Sequence, residues 1–195
     1  IRDRNNIFDQ IEKIILMKFI AILFCSWLFG IKLASAEKFS LVELSNYFNT
    51  FDTFQADFHQ LSDDGSVASG VILIKKPGRL RIDYERPEDL LILASGGQLA
   101  IFDPKGDPEP TSFPLNVTPF SIVLKSQINL VGSSNILSHD YNHGETSLSL
   151  FDPKYPERGH IKLIFSGETP ILDRWLIQDE SGNITLMSIE RYEEN

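Results

Sequence analysis

Between Lys75 and Pro87 the chain reads KKPGRLRIDYERP, and its apolar and charged positions alternate: Leu80, Ile82 and Tyr84 interleave with Arg79, Arg81, Asp83 and Glu85. A period of two puts every apolar group on one face of an extended strand and every charge on the other. The same period runs from Phe54, with Phe54, Ala56 and Phe58 opposed to Gln55, Asp57 and His59, and it ends in the turn-forming SDDGS. GSVASG, 65–70, reads as a hairpin loop, and GVILIKK from Gly70 reads as the next strand. That strand is broken at KPG, 76–78, where Pro77 removes a ladder donor and Gly78 permits a turn. LLILA and LAIFDP flank SGGQ, the composition of a tight hairpin. Towards the end TSLSLFDP, HIKLIFSG, ILDRWLIQD and ITLMSIERY, the last pair split by DESGN, add further strands.

Two stretches have another period. In FSLVELSNYFNTF, Ser40 and Glu43 have the spacing of a capping box, and Leu41, Leu44, Phe48 and Phe51 then form one helical stripe. Thr118 and Pro119 suggest a cap and a first-turn proline for a short helix running to about Lys125. DPKGDPEPTSFP, 103–114, has four prolines and three acids and reads as a long surface loop. Residues 126–143 show no clear period. Two helices with nine or ten strands make a mainly β chain, which implies a strongly curved antiparallel sheet or barrel with the helices over one face.

Composition changes the picture at the start of the chain. The first methionine is Met17, and MKFIAILFCSWLFGIKLASA has the parts of a secretory signal peptide: Lys18, an apolar run, and Ala34-Ser35-Ala36 as the small-residue cleavage site. Lys32 and that ending leave the run shorter than the roughly 20 residues of a spanning helix. The expected organisation is therefore an upstream translated extension over 1–16, a signal peptide over 17–36, and a single domain over 37–195. The only cysteine, Cys25, lies inside the apolar run, preceded by the bulky Leu23 and Phe24 rather than small residues, so no disulfide or lipid-attachment cysteine is expected in the exported part. The first 36 residues hold five of the 18 basic residues and three of the 27 acidic ones, so the remainder carries a net charge of −11. That balance opposes nucleic acid and anionic membrane surfaces as partners and suits a soluble exported protein.

Catalytic signatures are missing. His139 and His143 are four apart with Asp140 between them, but SHDYNHGE is a run of turn formers and not the helix that this spacing needs to hold a metal. There is no serine-hydrolase elbow, no dinucleotide or phosphate-binding glycine loop, and no thiol outside the leader. A hydrolase or metalloenzyme using His139, Asp140 and His143 is the weaker rival reading; the chain is read as a non-enzyme without cofactor. What it does have is apolar bulk on the faces read as buried: Phe48, Phe51, Phe58, Leu80, Ile82, Tyr84, Phe102, Phe165 and Trp175. Periodicity does not distinguish a filled core from a cavity.

FDTFQADFHQ, GVILIKKPGRLRIDYERP and ASGGQLAIFDP, in that order and spacing, resemble the periplasmic lipoprotein carrier family LolA. LFDPKYPERGHIKLIFSGETPILDRWLIQDESGNITLMSIE resembles the corresponding part of its alphaproteobacterial-type members, so the likeness runs from about Phe39 to Glu190. The resemblance implies a periplasmic monomer: an incomplete antiparallel β-barrel with a helical lid over an apolar cavity for the acyl chains of lipidated proteins. Its partners would be an inner-membrane ABC transporter that supplies cargo and an outer-membrane receptor that takes it. The lid would carry Leu41, Leu44, Phe48 and Phe51, and the cavity Phe58, Leu80, Ile82, Tyr84, Phe102, Phe165 and Trp175. Two departures stand out. Where the family often has an Arg that latches the lid, this chain has Lys76, a flexible point charge in place of a rigid fork. The chain also ends at RYEEN, shorter than the family pattern implies. A lipid- or lipoprotein-sensing regulator of the same fold is the other rival, although such regulators carry an extra domain.

Overall fold

A computed structural model of the chain describes residues 37–194, and the side chains of 37–190. Residues 1–36, expected from the sequence to be an upstream extension and a leader, lie outside the described residues. Helix α1 spans Leu41–Asn49 and begins as its sequence dictates. Ser40 Oγ accepts from Glu43 N at 3.2 Å, and Glu43 Oε2 accepts from Ser40 N at 2.7 Å, which closes the capping box.

Eleven strands follow: β1 (Thr53–Ser62), β2 (Val67–Lys75), β3 (Arg79–Tyr84), β4 (Leu91–Ser95), β5 (Gln98–Phe102), β6 (Thr111–Pro114), β7 (Ile136–Asn142), β8 (Glu145–Phe151), β9 (His160–Ser166), β10 (Ile171–Gln178) and β11 (Ile184–Glu194). All belong to one antiparallel sheet in the order β6-β5-β4-β3-β2-β1-β11-β10-β9-β8-β7. Two meanders are thus joined along β1 and β11, with Phe58 opposite Ile189 and Leu61 opposite Leu186. The outermost strands, β6 and β7, do not pair with each other, so the sheet stays open. Register shifts at Ala56/Asp57 and at Leu172/Arg174 are bulges of the kind that bend a strand and sharpen its twist.

One face of this sheet carries the core. Phe54, Ala56 and Phe58 of β1, Ile72 of β2 and Leu80 and Ile82 of β3 are buried, joined from the other meander by Leu148, Ile161, Leu163, Phe165 and Trp175. Cross-strand partners repeat the alternation: Phe54 faces Ile74, Ala56 faces Ile72, and Ile72 faces Ile82. Each Leu or Phe withdrawn from water on this face contributes about 1.5–3 kcal/mol.

Several expectations need correction. Strand β2 starts at Val67 rather than Gly70, so Gly70 is a strand residue and only Asp63–Ser66 turn. The proline-rich stretch read as a loop through Pro114 ends in β6, which pairs Leu99 with Phe113; an edge strand can end in proline because its outer N–H row needs no partner. Thr118 does not cap the second helix, α2 (Phe120–Val123). Its hydroxyl donates to Leu115 O at 2.8 Å, closing the 3-10 turn Leu115–Val117. Residues 126–143, without clear period in the sequence, contain a stretch that buries Ile128 and Leu130 and then β7, so the first part of SHDYNHGE, read as turn formers, is strand and the turn comes only near its end.

Candidate functional site

Helix α1 lies against the apolar face of the sheet. Leu44 and Phe48 are buried, Leu41 is half-buried against the core, and Phe51, just past the helix end, is buried as well, so the stripe read from the sequence points inward. Two of its rings meet the sheet edge-on, Phe48 and Tyr47 standing 5.9 and 5.6 Å from Phe165 of β9, and Phe51 packs tilted at 5.7 Å from Phe54 of β1. Edge-to-face contacts of this kind stabilise by about 0.5–1.5 kcal/mol beyond burial.

Polar bonds hold α1 at three places. Asn49 Nδ2 donates to Ile128 O at 2.8 Å while Asn49 Oδ1 accepts from Ile128 N at 2.9 Å, and Ser45 Oγ accepts from Leu130 N at 3.0 Å. At its start Phe39 N donates to Thr146 Oγ1 at 3.0 Å, and His139 Nε2 lies 2.9 Å from Phe39 O. At its end stands Lys76. In β2 the inward positions are Gly70, Ile72 and Ile74, and the same parity carries the Lys76 side chain inward, where it is buried. Its ammonium donates to Phe48 O and, at 3.3 Å, to Phe51 O, and it lies 4.2 Å from the centre of the Phe51 ring. The last turn of α1 has no basic residue of its own, so Lys76 supplies the positive charge that the carbonyl end of a helix favours.

Between α1 and the sheet a cavity of about 20 Å³ remains, walled by Phe48, Phe51, Phe54, Leu163, Leu172 and Trp175, with Lys76 at its margin. That is room for about one water molecule. Trp175 is buried in the middle of β10, opposite Leu163 and Met187, and its Nε1–H has no acceptor among the described residues. A larger open groove of about 680 Å³ runs past Ile92, Leu99, Ile101, Phe113, Phe120 and Ile177.

The predicted residues separate into groups. Phe48, Phe51 and Trp175 line the cavity, and Phe165 backs Phe48. Phe58, Leu80 and Ile82 are buried in the same core, and Tyr84 is half-buried against it, its ring 5.1 Å from that of Phe58. Burial pushes the Tyr84 phenol up to about 12, and its hydroxyl donates to Gln60 Oε1 at 2.6 Å. Phe102 is a correction: it is 39% exposed, because alternation in β5 turns Leu99 and Ile101 towards the core and leaves Phe102 on the other face. Sequence reasoning missed Leu163, Leu172 and Val123; Leu163 was legible from the parity of HIKLIF, whereas Leu172 has the opposite parity to Trp175 and turns inward only through the bulge between Leu172 and Arg174, and Val123 had only a weak helix signal. His139 is in β7 and His143 in the turn after it, and no group of three or more His, Cys, Asp or Glu among the described residues could hold a metal. The His139 ring is held below its ordinary pKa by burial, partly offset by its bond to Phe39 O.

Among known proteins, the chain is 27% identical over 99 residues to the outer-membrane lipoprotein carrier protein of Coxiella burnetii, covering 47% of each, so it spans about half the length of that relative. To the protein of the same description from Nitrosomonas europaea it is 27% identical over 165 residues, covering 78% of this chain and 77% of the relative. A solved LolA superfamily protein from Nitrosomonas europaea superposes with a TM-score of 0.40 at 12% identity, over 80% of this chain and 92% of that one. The Pseudomonas aeruginosa MucA/MucB complex gives 0.41 at 15% identity, over 78% and 55%. The family model described as outer membrane lipoprotein carrier protein LolA matches residues 49–195, most of the chain, and the chain belongs to that family.

Proposed function

We propose that this protein carries lipidated proteins through the periplasm, sheathing their acyl chains against the apolar face of the sheet in the place that α1 now fills. The observation that carries this reading is the nature of the cover: Phe48 and Phe51, at the end of a nine-residue helix pinned at a few points, pack over the apolar face that the sheet presents. A guest of similar apolarity can take their place once α1 moves aside. Alkyl chains offer no directional bonds, so the site needs apolar area and an opening rather than a motif, which suits a chain without catalytic signatures. Each methylene kept from water is worth about 0.8 kcal/mol, so bare acyl chains do not cross an aqueous compartment unaided.

In this reading α1 is the lid, Lys76 its latch, and Leu44, Phe58, Leu80, Ile82 and Tyr84 the wall that meets the chains. Residues 17–36 are the export signal, an inner-membrane ABC transporter loads the carrier, and an outer-membrane receptor unloads it. Among the described residues no helix is long and apolar enough to cross a membrane.

The test is release. Spheroplasts with a working lipoprotein-releasing transporter, incubated with the purified protein, are expected to yield a lipoprotein that stays in solution bound to it. Leu80→Glu should abolish retention by setting a carboxylate against hydrocarbon, since Leu80 is buried, while Arg81→Glu on the exposed face should leave it intact. No retention by the folded wild-type protein, or equal loss in both variants, would overturn the carrier reading.

A further inference from the structure

The cavity under α1 is almost wholly hydrocarbon, yet one of its walls is an indole with an orphan donor. Trp175 is 3% exposed and its Nε1–H has no acceptor among the described residues. Phenylalanine would fill the same wall without that cost, because a buried N–H left unpaired loses its hydration for nothing. Water does not resolve it. The space holds about one molecule, and the other polar group at its edge, the Lys76 ammonium, is also a donor, already directed at Phe48 O and Phe51 O. A water there would accept from the indole, but the nearby carbonyls, Phe48 O and Phe51 O, already accept from Lys76, which leaves it short of the two to four partners a buried water needs. The side-chain polar groups at the cavity are both donors. They suit a guest that brings an acceptor and no donor into an apolar space.

We propose that Trp175 Nε1 donates to an ester carbonyl of the glyceryl-linked acyl chains, so that the site selects acyl esters over plain alkyl chains; this rests on the carrier reading above. An ester carbonyl has acceptor lone pairs and no hydrogen to place, and it sits where the hydrocarbon chains begin. Withdrawal of Phe48 and Phe51, which wall the same cavity, opens the space in front of the indole to the guest. An ether-linked chain of equal length fills the same volume and leaves the N–H orphaned, which should weaken its binding about tenfold.

The experiment compares a dipalmitoyl-S-glyceryl-cysteine peptide with the same peptide bearing ether-linked hexadecyl chains. The full chain is expressed for export with Trp27→Phe, which leaves Trp175 as the one indole of the two in the sequence. Affinity is read from Trp175 emission and by calorimetry, the latter also on the additional Trp175→Phe variant. The expected result is tighter binding of the ester by about tenfold in the Trp175 protein and equal binding of both peptides, at the ether's affinity, in Trp175→Phe. Equal binding of ester and ether by the Trp175 protein overturns the inference and leaves the carrier reading in place, as does a preference that survives in Trp175→Phe. Binding of neither peptide by the folded protein overturns both.

Discussion

At Gly70 the absence of a side chain holds three strands together. The residue lies in β2 opposite Phe58 of β1 and Tyr84 of β3, whose rings close over it edge to face at 5.1 Å. A Cβ there would stand 2.0 Å from Asp83 O and 2.8 Å from the Phe58 ring, and neither a strand carbonyl nor a fully buried ring has room to retreat. A glycine inside a strand is otherwise a weakness, so its presence marks a close approach. Gly70→Ala should therefore destabilise the fold by about 3 kcal/mol or more, read as a lower midpoint in urea unfolding, despite the smallness of the change. Val67→Ala, at an exposed position in the same strand, is the control and should shift the midpoint little. In the sequence Gly70 looked like the end of a hairpin loop, because glycine in GSVASG carries the same signal whether it turns the chain or makes room for a ring.

Helix α1 shows how much of an element local chemistry specifies. Its start was legible: Ser40 and Glu43 close the capping box expected of them, and accepting from Ser40 N and Oγ holds the Glu43 carboxyl below its ordinary range. Since the folded value is the lower one, the stabilisation is present in full above the unfolded value and fades as the pH falls through the folded one. Ser40→Ala should cost about 1 kcal/mol of α1 stability near neutral pH, seen as faster amide exchange over 41–49, and the difference from wild type should shrink in acid. The inward stripe was legible too, because a period of 3.6 allows one apolar face. What the helix leans on was not. Ile128 and Leu130 are buried in a stretch without period, and they lie beside α1 because Asn49 and Ser45 bond their backbone groups. Such bonds from polar side chains to backbone some 80 residues away leave no trace in a window of neighbouring residues. Lys76 has the same history: its position before Pro77 suggested a latch only by resemblance, while its burial follows from the parity of β2.

Across the whole molecule, the sheet and its cover are held by different means, and this makes opening a local event. The ladder runs unbroken from β6 to β7 without using α1, and its central seam, β1 against β11, joins residues more than a hundred positions apart. Alternation identified nearly every strand but not that seam, since pairing partners with equal hydrophobic parity look alike in sequence. By contrast α1 has nine residues, fewer than the roughly 12–15 a helix needs to persist alone in water, so undocking and melting of α1 are one step. Amides of 44–49, together with Ile128 and Leu130, should then exchange through a common opening of lower free energy than the amides of β1, β2 and β11. Lys76→Met removes the ammonium from Phe48 O and Phe51 O while keeping the bulk of the side chain. Hydrogen bonds to a charged donor contribute about 1.5–3 kcal/mol, so exchange in α1 should quicken about tenfold to a hundredfold. Rates in β1 and β11 should stay as they were. If instead α1 exchanged only with global unfolding, or if Lys76→Met hastened sheet and helix alike, the cover would be part of one cooperative core and no guest could enter without unfolding its carrier.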